Sequence, residues 1–160
     1  MTVIQAPGPI PKEIACIFLA GSIEIGAAEN WQQKVIRRLQ EQDSQYVILN
    51  PRRDDWDSSW EEKISNPQFN EQVNWELQGL EQAQLVLMYF DPATKSPITL
   101  FELGLIAQMD PKKLIVVCPA GFWRKGNVDV VCERYHIRTA TTIEDALAMV
   151  PTHSQDSHAI

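Results

Sequence analysis

Long apolar runs are missing from this 160-residue chain. None approaches the roughly 18 residues that a membrane-spanning helix needs, so no membrane partner is expected. Cysteine is scarce: Cys16, Cys118 and Cys132 are an odd number without a CxxC pair. The expectation is three reduced thiols in a cytoplasmic protein, with Cys16 and Cys118 inside strand-like runs as small hydrophobes. Basic residues are in deficit, 14 Lys and Arg against 21 Asp and Glu. A protein that coats a nucleic-acid polymer needs a basic face to displace counterions, which argues against a polymer partner. A small nucleoside or nucleotide needs only local donors and stays open.

Histidine is rare as well. His136 falls at a strand start, His153 and His158 in the last ten residues, and no His, Cys, Asp or Glu spacing suggests a metal. No cofactor is expected. GxGxxG, GxxxxGK[ST] and GxSxG are all absent, which removes the usual dinucleotide, P-loop and serine-hydrolase signatures. The start, MTVIQAPGPIPKE, has neither a basic opening nor an apolar centre. It is read as an extended arm over 1–13 and not as a signal peptide.

What is present is alternation. EIACIFLAG (13–21), QYVILNP (45–51), LVLMYFD (85–91) and KLIVVCPAGF (113–122) are short apolar runs closed by turn residues, the mark of strands buried on both faces. Between them lie helical spacings over 30–42, 67–84 and 96–109. The last is expected to start with Ser96 as cap and Pro97 at the first helical position. A short helix over 127–135, a strand over 136–140 and a helix over 142–149 follow. Residues 151–160 read as a polar tail. One α/β domain over 14–150 is expected: three layers, about five parallel strands, helices on both faces.

Ligands of such sheets bind beyond the carboxyl ends of the strands. Four segments fall there: Gly21-Ser22-Ile23, Asn50 to Trp56, Asp91 to Ser96, and Pro119 to Asn127. Gly21, Ser22 and Ile23 form either a sugar- or phosphate-binding turn or a plain strand-to-helix turn. Asn50, Arg52, Arg53, Asp55 and Trp56 gather donors, acceptors and an aromatic face fit for a heterocyclic base; a surface loop with an internal salt bridge is the other reading. Trp75 and Glu76 sit on the helix over 67–84. There Glu76 is one position off the apolar face, which reads as a solvated carboxylate or as one at the crevice rim.

Glu102 stands out. Within SPITLFELGLIA (96–107), the positions three and four away are Thr99, Ile98, Leu105 and Ile106, so no local cation pairs with it. Such a carboxylate either meets water at a crevice or has its pKa raised. Gly104 costs the helix roughly 1 kcal/mol against Ala, which close packing or ligand approach would justify. Functional use of Glu102 is set against a structural bond to a backbone amide.

IFLAGSI (17–23), VNWELQGLEQAQLVLMYF (73–90) and SPITLFELGLIA (96–107), in that order, resemble the nucleoside 2-deoxyribosyltransferase family. LNPRR (49–53), SPITLFELG and GN at 126–127 point to its divergent branch, and the resemblance spans roughly 14 to 135. It implies a flavodoxin-like strand order. It also implies Glu102 as the nucleophile that displaces a nucleobase from the anomeric carbon, giving a deoxyribosyl-enzyme later taken by a second base or by water. Glu76 matches the family's acid, and Gly21, Ser22, Ile23, Asn50, Arg52, Arg53, Asp55, Trp56, Trp75, Asp91, Ser96 and Asn127 become substrate contacts. Two departures stand out: Phe18 replaces a tyrosine whose hydroxyl orients the nucleophile, and Ser96 replaces an aspartate that contacts sugar hydroxyls. Related deoxynucleoside-monophosphate N-glycosidases carry Ser there for phosphate, whereas Glu24 after the GSI turn disfavours one. A homodimer or larger oligomer is implied. The readings are a nucleoside deoxyribosyltransferase, a monophosphate N-hydrolase, or a binding protein without turnover.

Overall fold

The computed structural model describes residues 1–23, 29–53, 55, 57 and 59–151. Six strands form one wholly parallel sheet: β1 (Val3–Gln5), β2 (Cys16–Gly21), β3 (Val47–Asn50), β4 (Leu85–Tyr89), β5 (Leu114–Val117) and β6 (Arg138–Ala140). Their order is β1-β3-β2-β4-β5-β6. Leaving β1 aside, this is the flavodoxin-like order, with the switch point between β2 and β4.

The expected arm over 1–13 differs from what forms. Val3–Gln5 pair in register with Ile48–Asn50, and Ala6 N–H donates to the Asn50 carbonyl at 3.1 Å. Three residues in a Pro-rich stretch carry no periodicity of their own; the exposed edge of β3 makes the strand.

Strand alternation builds the two outer layers. Ile17, Leu19, Ile48, Leu87 and Val117 face α1 (Trp31–Glu41) and α5 (Ile143–Ala148). Phe18, Ala20, Leu49, Val86, Met88 and Val116 face α2 (Pro67–Gln82), α3 (Pro97–Met109) and α4 (Lys125–Arg134). Asn30 caps α1, Asn66 with Pro67 starts α2, and Thr142 caps α5. Buried Lys113 closes the other end of α2, donating to the Leu80 carbonyl at 2.6 Å and the Glu81 carbonyl at 3.2 Å.

Gly79 packs α2 directly against the sheet. A Cβ there would stand 2.6 Å from the ring of Phe18, which is fully buried. Gly79→Ala is expected to lower stability by about 1–3 kcal/mol from overpacking, despite a helix gain of roughly 0.5–1 kcal/mol. Urea unfolding with an unchanged m-value checks this; a midpoint at or above that of the parent protein contradicts it.

Among the described residues no helix is long and apolar enough to cross a membrane. All three cysteines are free and buried.

Candidate active site

The loops after β2 and β4 meet across the switch point. Gly21 has φ of +147° and pairs with Tyr89; a Cβ there would collide with the Tyr89 carbonyl, so only glycine fits. Ser22 follows, 1% exposed, its N–H on the Tyr89 carbonyl at 3.0 Å. Its hydroxyl bonds those of Thr94 and Ser96 and accepts from Asp91 N–H at 2.9 Å. Thr94 also bonds Ser96 at 2.7 Å and the Asp91 carbonyl at 2.9 Å. The Asp91 carboxylate accepts from Glu29 N–H at 3.0 Å and from Ala93 N–H at 2.8 Å, tying the two loops together.

Ser96 departs from the expected cap. It precedes α3 with φ of 46° and makes no side-chain capping bond, because its hydroxyl is committed to Ser22 and Thr94. Ile23 is half-buried beside this knot.

A second group gathers at the end of β3. Asn50 Oδ1 accepts from Arg52 N–H at 3.1 Å, and Gln5 donates to the Arg52 carbonyl at 2.7 Å. Gln72, 4% exposed on α2, donates from one amide nitrogen to the Pro51 carbonyl at 3.0 Å and to Glu76 Oε1 at 2.7 Å. Arg53 grips Asp55 through two 2.9 Å bonds and lies over Trp60 at 5.3 Å. One terminal nitrogen of each arginine, Nη1, is buried without a partner among the described residues. Trp75 packs on Phe18 with ring centroids 6.0 Å apart, and its indole N–H donates to the Gly8 carbonyl at 2.6 Å. Asn127 is exposed on the first turn of α4. Trp56 and Glu24 lie outside the described residues.

Glu102 is 7% exposed on the inner side of α3. Among the described residues it has no hydrogen bond or ion pair. Burial, and then the charge of Glu76, push its carboxyl up to about 8. The Glu76 carboxyl is also raised by burial, against the pull of the Gln72 donor. The two acids therefore sense one another, and Glu76 is not the solvated carboxylate that its helical position suggested. Enclosed beside the Glu76 charge, the Glu102 carboxyl holds its proton near neutral pH. That is the equipment of nucleophile-plus-acid chemistry at a glycosidic carbon.

Of the two reasons offered for Gly104, close packing does not hold. Nothing lies within 4 Å of where its Cβ would stand, so no packing inside the described chain requires glycine. Thr94 and Gln72 were not foreseen. Gln72 had a visible signal in its spacing of four from Glu76; Thr94 had none beyond its place in the loop.

A family model described as nucleoside 2-deoxyribosyltransferase like matches residues 15–122. No curated protein matches the chain.

Proposed function

We propose, from the premise that this chain belongs to the nucleoside 2-deoxyribosyltransferase-like family, that it cleaves the N-glycosidic bond of 2′-deoxynucleosides through a covalent deoxyribosyl-Glu102. A Glu102 oxygen bonds the anomeric carbon as the carbon–nitrogen bond breaks, and that electron pair leaves with the base. The base needs a proton to depart, and Glu76 delivers it. A second base, or water, then attacks the same carbon and frees Glu102. The observation that carries this reading is a buried carboxyl with no cation paired to it among the described residues, close enough to Glu76 to be raised by its charge. Asn50, Arg52 and Arg53 line the side on which a base would lie, with Ser22, Asp91 and Ser96 shaping the sugar side.

The second reading is a deoxynucleoside 5′-monophosphate N-hydrolase. It draws on Lys95 and Arg124, which bracket the Trp123 ring at 4.6 and 4.3 Å next to the Ser96 turn. A homodimer is part of the proposal. Ile98, Phe101 and Met109 lie 58–61% exposed along the outer side of α3, the helix that carries Glu102 inward, with Gly104 among them. A helix apolar on all sides calls for cover, and a glycine there lets a second helix approach closely.

Incubation with a deoxynucleoside and a different free base is expected to give the exchanged nucleoside. The same panel run on monophosphates without acceptor separates the second reading, through base release confined to monophosphates. Tight binding without any base release overturns both and leaves a non-catalytic binding protein.

A further inference from the structure

Gln72 stands apart from every residue that the family resemblance singles out. Its side chain is almost wholly enclosed, yet it spans two acceptors on different elements: the Pro51 carbonyl just after β3 and the Glu76 carboxyl one turn along α2. Its own oxygen, Oε1, is buried with no partner among the described residues. An orphaned buried acceptor is a standing cost. Turning the amide over would not remove that cost, because it would set Oε1 against the Pro51 carbonyl, which can only accept. The carbonyl therefore fixes which end of the amide meets Glu76, and the end it presents is a donor.

We propose that Gln72 is a positioning residue. Through one amide nitrogen shared between the Pro51 carbonyl and Glu76, it orients the Glu76 carboxylate and assigns the proton of the acid pair to Glu102. The inference rests on the Glu102 and Glu76 roles proposed above. A donor stabilises the ionised form of the acid it touches, so in the resting protein Glu76 carries the charge and Glu102 the proton. Among the described residues, Glu76 is the charged group that acts on Glu102, and Gln72 the donor that touches Glu76. Glu102 comes from α3 and Glu76 from α2, β2 presents the uncharged Phe18 to α2, and the loop after β3 presents the Pro51 carbonyl.

The proton count then balances. As Glu102 ionises, its proton passes by way of water to Glu76, since no hydrogen bond joins the two carboxyls, and Glu76 hands it to the ring nitrogen of the departing base. Glu102, now a carboxylate, bonds the anomeric carbon. The base leaves neutral, Glu76 returns to its ionised state, and no outside acid is consumed.

Titration of full-length protein labelled with carbon-13 at the glutamate carboxyls tests this without recourse to turnover, with Glu76→Gln and Glu102→Gln assigning the two signals. In Gln72→Met the Glu76 midpoint is expected to rise by about one pH unit, the scale of a lost hydrogen bond to a charged acceptor, while the Glu102 midpoint falls. Gln72→Asn keeps a buried amide but is one methylene short of Glu76, and it is expected to act in the same direction. Midpoints equal to those of the parent protein in whichever variant folds would overturn the proposal. The pH profile of base exchange gives a second readout: its acidic limb moves up in both variants, whereas a purely structural role lowers melting temperature and rate together with the limb unmoved. An inactive parent protein with the expected titration shifts would sink the functional reading and leave the assignment of Gln72 standing.

Discussion

Glu102→Gln is expected to abolish sugar transfer and, at pH 9, to yield a protein more stable than its parent. The first effect follows from removing the atom that bonds the anomeric carbon, and the loss should reach roughly 10⁴-fold or more. The second follows from linkage. The folded protein holds the Glu102 proton up to about pH 8, whereas the unfolded chain releases it near 4.5, the ordinary glutamate range. A folded-state pKa raised above the unfolded one contributes stability that is complete below pH 4.5 and disappears as pH climbs through 8. At about 1.4 kcal/mol per pH unit, the parent protein sheds on the order of 4 kcal/mol across that window, and Glu102→Gln does not. Any fixed penalty for the new amide shifts the variant's curve without changing its slope. The measurement is urea unfolding of both proteins between pH 4 and 9. Parallel stability curves would mean that Glu102 is ionised at its ordinary pKa and is not enclosed as described.

Much of this was legible in the chain, and what was not shares a physical cause. The strands β2, β3, β4 and β5 are continuous apolar runs because both faces are covered, and the alternation of helix and strand leaves a parallel sheet as the economical solution. β1 was not legible, since its three residues become a strand only by pairing with β3. Glu102 could be found because its near neighbours along the helix are apolar, a local fact. Local sequence suggests Ser96 as a cap, but it serves in a hydroxyl knot with Thr94 and with Ser22, which lies 74 residues away. Gln72 shows the same limit. Its spacing from Glu76 is visible, but the Pro51 carbonyl that fixes its amide is a tertiary neighbour. Burial of Glu76 likewise depends on what α2 packs against and not on its own helical phase. Residues whose partner lies within one turn are readable from sequence; those whose partner arrives with the fold are not.

Glu76→Gln separates protonation of the leaving base from the attack itself. A positioned general acid contributes typically about 10²–10⁴-fold, and that is the loss expected with a natural deoxynucleoside at neutral pH. A deoxyriboside whose leaving group departs as a stable anion needs no proton, so with such a substrate the variant should fall within about tenfold of the parent protein. A second consequence runs through Glu102. Its carboxyl is raised in part by the Glu76 charge, so neutralising position 76 lowers the Glu102 midpoint from about 8 and frees the nucleophile at a lower pH. The variant should then acquire a more acidic limb in its pH profile with the activated substrate. A loss of equal size for both leaving groups, with the Glu102 midpoint unmoved, would mean that Glu76 neither protonates the base nor faces Glu102. The claim that these two acids share one site stands or falls on that pair of readings.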